Sequence, residues 1–308
     1  SVEVLIPHAA GYVGKDQNKK AKGLIEAIRF EFLNNQVERP LKGRQIVIDK
    51  LVGNIKLSFR LLLGAKPQSI IIYNYSIFDT GLLILLAKLL KVKIFFDVCD
   101  ERFDIHAEGW EKSLLRNINS LNSKLSDNLL FRIADGFFVV SRYLNEKIKR
   151  LSRSQPVLLL PLIADISSPG AGQEISADNF HLAYLGSLIP DEGIELLIEA
   201  VGILKEDFPE IKCDIIGGAN NPGYDILLRE KVKGRNLESA INFVPNISHE
   251  KVVRYLQSMT LLMLPRPNST ISRAGFPGKL AEYISSRRPI VTTDFGDITL
   301  YFKNLETA

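Results

Sequence analysis

"GFPGKLAEYISSRRPIV" (275–291) carries the most informative punctuation in the chain. Gly275, Pro277 and Gly278 make a turn, and Pro277 suits the first position of a helix. Successive helical residues turn by about 100°. Leu280, Tyr283 and Ile284 then share one arc and are assigned to a core, while Lys279, Glu282 and Ser286 share the adjacent polar arc. "PIVTT" (289–293) follows as a short strand, so the stretch is one helix-to-strand unit of an α/β sheet. Two readings of its polar arc stand side by side. A lysine near free helix N–H groups suits a diphosphate, and a carboxylate one turn deeper suits paired sugar hydroxyls. An i, i+3 surface ion pair explains the same spacing.

The alternation continues in both directions. Upstream lie the strand candidates "FHLAYLG" (180–186), "KCDIIGG" (212–218), "INFVP" (241–245) and "TLLMLP" (260–265). Between the first two, Ile194, Leu197, Ile198, Val201 and Leu204 have the spacing of a half-buried helix. The first half reads likewise, with strands at "VEVLIP" (2–7), "RQIVID" (44–49), "SIIIYNY" (69–75), "KIFFDV" (93–98), "GFFVVS" (136–141) and "PVLLLP" (156–161). Helical spacing appears at Leu144, Ile148 and Leu151, and in a stripe of Leu114, Ile118, Leu121 and Leu125. Residues 165–179, "DISSPGAGQEISADN", have no apolar periodicity and read as a linker. The organisation is therefore two doubly wound, Rossmann-like α/β domains, 1–166 and 180–308, joined by 167–179. Such sheets bind ligands at the carboxyl ends of their strands, and two of them facing each other make an interdomain cleft.

Composition narrows the function classes. Lys and Arg number 39 against 35 Asp and Glu, a mildly basic balance that favours anionic partners without naming one. No basic motif with interleaved aromatics supports nucleic-acid binding. Cys99 and Cys213 fit neither a disulfide framework nor a zinc site and are expected as buried thiols in a reducing compartment. The longest apolar run, 77–90, contains Asp79 and Lys88 and falls short of the roughly 20 residues of a membrane span. The chain opens at Ser1 with no cleavable signal pattern, and a cytoplasmic location is expected.

Unusual residues cluster at strand ends of the second half. Gly186 and Ser187 follow one strand, with Pro190 and Asp191 opening the next helix; Gly217 and Gly218 follow another. "FVPNISHE" follows a third, with Ser248 as helix cap, and "LPRPNSTISRAGFPGK" leads into the opening stretch. Each glycine alone is explained by tight-turn geometry, whereas several in one domain favour a phosphate-bearing ligand.

"HLAYLGSLIPDEGIELLIEAV", "IIGG", "INFVPNIS", "LLMLP" and "GFPGKLAEYISSRRPIVTTD" together resemble, in order and spacing, the donor domain of GT-B glycosyltransferases of family 4. "KPQSIIIYN" and "FFVVSRYLNEKIKRL…PVLLLPLIAD" resemble that family's acceptor domain in pattern. The resemblance implies transfer of a hexose from a nucleotide diphosphate sugar, with retention and without a metal or other cofactor. No Asp-x-Asp strand end is present. It implies that Glu282 binds the donor ribose, that Lys279 and the backbone of Gly275, Phe276, Pro277 and Gly278 lie by the diphosphate, and that Gly186 begins the phosphate-side loop; Arg273 as a nearby cation and Ser187, Gly217 and Gly218 at the strand ends complete the candidate donor set. Val244 and Asn246 would border the base, and Gly11 and Gly14 would match the acceptor-domain glycine loop. At the end of a first-domain strand, Asp97, Asp100, Glu101 and His106 are candidates for contacting the attacking hydroxyl, with Asp100, Glu101 and Lys279 as the catalytic set. Solvent or structural hydrogen bonding is the competing reading, favoured for His106 and His8.

The chain departs from that pattern at three places. Ala274 stands where the family has its first motif glutamate, Ser187 where it has an arginine, and Glu192 where it has a lysine. Arg266, Arg273 and Lys279 are the cations at hand to compensate. The family also continues past the position of Ala308, so a further strand and helices are expected. Two basic groups, Lys15, Lys19 and Lys22 ahead of Leu24, Ile25 and Ile28 on a helix, and Arg142, Lys147, Lys149, Arg150 and Arg153, read either as solvated faces or as contacts to an anionic membrane surface. The leading expectation is a transferase acting on a glycan or lipid-linked acceptor in bacterial surface polysaccharide or glycolipid synthesis, peripheral on the inner membrane face. A non-catalytic binding or scaffold subunit, or a nucleotide-sugar epimerase of the same fold, are the alternatives.

Overall fold

The computed structural model describes residues 3–6, 22–25, 28–33, 43–73, 75–101, 110–152, 154–161, 180–218 and 221–302. Two compact units divide it. The first is Ser1–Val98, Arg102–Val139 and Asn145–Leu158; the second is Cys99–Glu101, Val140–Leu144 and Leu159–Ala308.

The first unit contains β1 (Glu3–Ile6), β2 (Lys22–Ile25), β3 (Ile28–Phe32), α1 (Gly43–Leu63), β4 (Ser69–Tyr73), α2 (Ile77–Leu89), β5 (Lys93–Val98), α3 (Trp110–Ile133), β6 (Gly136–Val139), most of α4 (Arg142–Leu151) and β7 (Val157–Leu159). Strands β4 to β7 lie side by side in sequence order, while β1, β3 and β2 form a separate sheet. Strands β5 and β6 bury Ile94, Phe96, Phe137 and Val139 against Ile84 and Ala87 of α2 and Phe131 of α3. The rings of Tyr75, Phe96, Phe131 and Phe137 pack at 4.9–6.1 Å. Buried Asp127 accepts from the Tyr75 hydroxyl at 3.1 Å and pairs with Lys147 at 3.0 Å, so its charge is compensated.

Two sequence expectations need correction here. "RQIVID" (44–49) lies within α1 and is not a strand. Its β-branched run is a weak strand preference, and with no turn before Leu63 it continues into a helix packed along α2. Asn54 and Ser58 are accommodated inside α1 by donating to the Lys50 and Asn54 carbonyls, both at 2.8 Å. Lys22, Leu24, Ile25 and Ile28 do not share a helix: β2 and β3 are antiparallel, with Lys22 opposite Glu31. α3 is helical over the stretch whose spacing suggested it; on it Leu121 and Leu125 are exposed, while Ser126, Asp127, Leu130 and Phe131 are buried. Of the basic group on α4, Arg142 pairs with Asp297, Lys147 with Asp127 and Arg150 with Glu146.

The second unit holds β8 (His181–Leu185), a 3-10 turn (Pro190–Glu192), α5 (Ile194–Asp207), β9 (Lys212–Ile216), α6 (Pro222–Gly234), β10 (Ile241–Val244), α7 (His249–Gln257), β11 (Leu261–Leu264), α8 (Thr270–Ala274), α9 (Leu280–Ser286), β12 (Ile290–Thr292) and α10 (Ile298–Tyr301). All five strands are parallel, in the order β10-β9-β8-β11-β12. One apolar layer joins the sheet to α5 and α6 through Ile194, Leu197, Ile198, Val201, Tyr224 and Leu228. The opposite layer joins it to α7, α9 and α10 through Val252, Leu256, Leu280, Tyr283 and Ile298. The α5 stripe is buried as its spacing predicts. The strand order reverses direction between β8 and β11, the position where open α/β sheets take ligands.

Candidate functional site

The switch point is physically open. Register between β8 and β11 is limited to Leu182 and Ala183 against Leu261 and Leu262, and the strands then separate. The Tyr283 hydroxyl bridges the gap, accepting from the Leu185 N–H at 2.9 Å and donating to the Met263 carbonyl at 3.0 Å. Tyr283 is fully buried, and burial pushes its phenol far above its ordinary value, so it remains a neutral donor. This bond pins α9 beneath the opening and sets Lys279, which caps it, at the mouth.

Helix α9 begins at Leu280, three residues later than the sequence suggests; Pro277–Lys279 form a tight turn whose carbonyls at Pro277 and Gly278 accept from Leu280 and Ala281. With Lys279 at the cap, only Leu280 and Tyr283 of the expected core arc are buried; Ile284 is exposed. Nor does Lys279 stand free for an anion. Its side chain is 9% exposed, and its ammonium is bonded to Glu192, whose side chain is 6% exposed, and to the Tyr184 hydroxyl at 2.9 Å. It also lies 4.3 Å over the Tyr184 ring. The other Glu192 oxygen takes Arg266 Nη2 at 2.5 Å. Burial pushes Lys279 down to about 8 despite the Glu192 charge. Burial works against the Glu192 carboxylate too, but Arg266 and Lys279 hold it below its ordinary value.

The floor of the site is glycine. Gly186 has φ +151°, and a Cβ there would fall 2.5 Å from Lys279 Nζ and 2.9 Å from the Tyr184 hydroxyl. Gly217 lies against the Gly186 carbonyl, and Gly218 beside the Asn246 side chain. Main-chain bonds from Gly186 to Ile216, from Gly217 to Val244 and from Leu188 to Gly218 carry the ladder past the strand ends. Thus Gly186, Gly217, Gly218, Val244 and Asn246 line the carboxyl ends of β8, β9 and β10, with Lys279 beside Gly186. Ser187 is exposed, its carbonyl accepting from Tyr184 at 3.0 Å. Glu282 is half-buried and close enough for its charge to act on Lys279.

Other sequence candidates are placed differently. Arg273 is exposed and bonds Thr270 of its own short helix at 3.4 Å, away from the Glu192 cluster's bonds. Phe276 packs edge-on to Tyr301 at 5.4 Å between centroids. Pro277 is buried and Gly278 exposed in the turn. Asp100 sits against Gly275, its Oδ1 3.1 Å from where a Cβ there would be, while Glu101 is half-buried. Ala274 is fully buried and its carbonyl accepts from Ser141 at 2.6 Å. Gly11, Gly14, His8, His106, Lys15, Lys19, Arg153 and the linker fall outside the described residues. Of the thiols, Cys213 is buried and Cys99 half-buried rather than buried. No group of three or more His, Cys, Asp or Glu among the described residues is arranged to hold a metal.

Tyr184 and Tyr283 are absent from the sequence-based set. Both read as core aromatics, which they are; only the site geometry reveals that their hydroxyls organise it.

Residues 171–308 match the family model of glycosyl transferases group 1. Among solved structures, the chain is similar to the pneumococcal O-GlcNAc transferase GtfA in complex with UDP and GlcNAc, at 18% identity and a TM-score of 0.60, covering 83% of this chain and 47% of that one. It is similar to sucrose-phosphate synthase from Thermosynechococcus elongatus at 14% identity and a TM-score of 0.63, covering 97% and 72%. Similarity to Anabaena HepE in complex with UDP and glucose has 15% identity, a TM-score of 0.62, and coverage of 90% and 70%. The chain spans about half the length of the first structures it matches, at 47–48%. No curated protein matches it in sequence. The fold is that of the GT-B glycosyltransferases. No helix among the described residues is long and apolar enough to cross a membrane.

Proposed function

We propose that this protein is a nucleotide-sugar-dependent glycosyltransferase, whose second unit binds the donor at the opening between β8 and β11. One observation carries the reading: the segment that matches the glycosyl transferases group 1 model sets Gly186 and Lys279 at the sheet's switch point, with Gly217 and Asn246 following the neighbouring strands β9 and β10. There the glycine backbone admits a diphosphate and Lys279 offsets the charge that grows on it as the glycosidic bond breaks. Glu282, one turn along, is assigned to the ribose, Val244 and Asn246 to the base, and Asp100 and Glu101 to the acceptor side. GtfA and HepE, both solved with UDP, make a uridine nucleotide the first donor to try.

The finer reading is a family 4-like, retaining hexosyltransferase, metal-free, serving a glycan or lipid-linked acceptor of bacterial surface polysaccharide or glycolipid synthesis. Its place would be cytoplasmic, peripheral on the inner membrane face. A second reading, donor binding without turnover, is favoured by one specific observation: Ala274 is fully buried where the resemblance expects a glutamate.

Thermal shift against UDP, GDP, ADP and their sugars, followed by analysis of the released sugar, separates these. Stabilisation by one base series with sugar transfer supports the transferase. Stabilisation with the nucleotide sugar left intact supports the binding subunit. No stabilisation by any nucleotide refutes the donor site.

A further inference from the structure

The cations at the switch point are already occupied. Glu192 places one carboxylate oxygen on Arg266 and the other on Lys279, and its side chain is 6% exposed. The arrangement is built. Gly193, at φ +73°, brings its Cα so close to the Pro265 carbonyl that a Cβ would lie 1.9 Å from the oxygen. This approach presses the Pro190–Glu192 turn onto the end of β11, immediately before Arg266. A carboxylate bridging two buried cations has the same charge sign and the same oxygen acceptors as a phosphate.

We propose that Glu192 is a resident counter-anion of the phosphate subsite: its carboxylate occupies Arg266 and Lys279 in the empty protein, and a diphosphate binds by displacing it. The proposal rests on the donor-site reading above. Glu192 thereby sets donor affinity. It keeps two buried like charges compensated when no ligand is present, and it lowers the net gain when a diphosphate replaces it. Exchange of one anion for another also speeds product departure, because the carboxylate returns as the diphosphate leaves.

The alternative role for the same geometry is a permanent brace that holds both cations in position for the ligand. The two roles predict opposite signs. Removing a competitor tightens anion binding, whereas removing a brace weakens it.

The test is titration calorimetry of the wild type, Glu192→Gln and Glu192→Asp with inorganic pyrophosphate, UDP and uridine. Glu192→Gln removes the charge at nearly constant shape. Glu192→Asp keeps the negative charge but is one methylene shorter, drawing the carboxylate back from Arg266 and Lys279, so it decides the matter if the glutamine variant does not fold. The expected result is tighter pyrophosphate and UDP binding, about tenfold for Gln (about 1.4 kcal/mol) and at least about threefold for Asp, with uridine affinity unchanged. Wild-type UDP binding that is unaltered or weaker in the variants overturns the counter-anion and leaves the donor-site reading standing. Variants that gain pyrophosphate but show no preference for UDP over it support the counter-anion and refute the nucleotide reading. Absence of binding by all three proteins to all three probes refutes both.

Discussion

Replacing Lys279 by Met removes the charge from a side chain that is 9% exposed and shortens it by only one atom, which isolates the energetics of burying that ammonium. Burial lowers Lys279 from 10.5 to about 8, with the Glu192 and Glu282 charges opposing and Arg266 reinforcing the drop. A drop of that size corresponds to about 3 kcal/mol disfavouring the charged form in the folded state. The sign follows from proton counting. Between pH 8 and 10.5 the unfolded chain holds a proton at this lysine that the folded chain has lost, so wild-type stability rises with pH. From pH 7 to 9.5 the Lys279 contribution improves by about 2 kcal/mol, and Lys279→Met lacks this gain. Titrating groups outside the Glu192–Arg266 cluster are common to both proteins and cancel in the difference. Urea denaturation of the two proteins at half-unit pH intervals is the assay. The wild type is expected to gain about 2 kcal/mol on the variant across that window. A difference that stays constant with pH would mean that Glu192 and Glu282 offset the whole cost of burying the ammonium, and would refute a net burial penalty at Lys279.

Two other substitutions probe the scaffold. Gly193→Ala places a methyl 1.9 Å from the Pro265 carbonyl oxygen at φ +73°, where only backbone can yield; a loss of about 3 kcal/mol or more is expected in urea titration. Tyr283→Phe leaves the Leu185 N–H and the Met263 carbonyl without their bridge, at 2.9 and 3.0 Å in the native protein; it should cost about 1–3 kcal/mol and loosen diphosphate binding through α9. A Tyr283→Phe variant as stable as the wild type would show that the splay between β8 and β11 is held elsewhere.

The second unit was largely legible in the sequence because its signals are local. Each of its five strands is a short apolar run closed by Gly, Pro or Thr, and the Ile194–Val201 stripe has helical spacing, so periodicity located both layers. The first unit was harder for the same reason. "RQIVID" is locally a good strand, and only its continuity with the rest of α1 and the packing on α2 make it helical. Lys22 to Ile28 has helical spacing over too few residues, and the pairing with β3 overrides it. The Glu192 cluster could not be read at all. It joins residues 74 and 87 positions apart, and sequence shows only that a lysine of the expected pattern had become a glutamate. That change looked like a lost phosphate contact. In three dimensions it is an added anion on the two cations that remain.

The measurement closest to the central claim compares nucleoside diphosphates with their bare nucleosides in the wild type and in Lys279→Ala by titration calorimetry. The account predicts that one base series binds the wild type as the diphosphate, and that Lys279→Ala weakens the diphosphate at least about tenfold while the nucleoside changes little (a tenfold loss is about 1.4 kcal/mol). Equal losses for both ligands, or no diphosphate binding by the wild type, would contradict a phosphate site at Lys279.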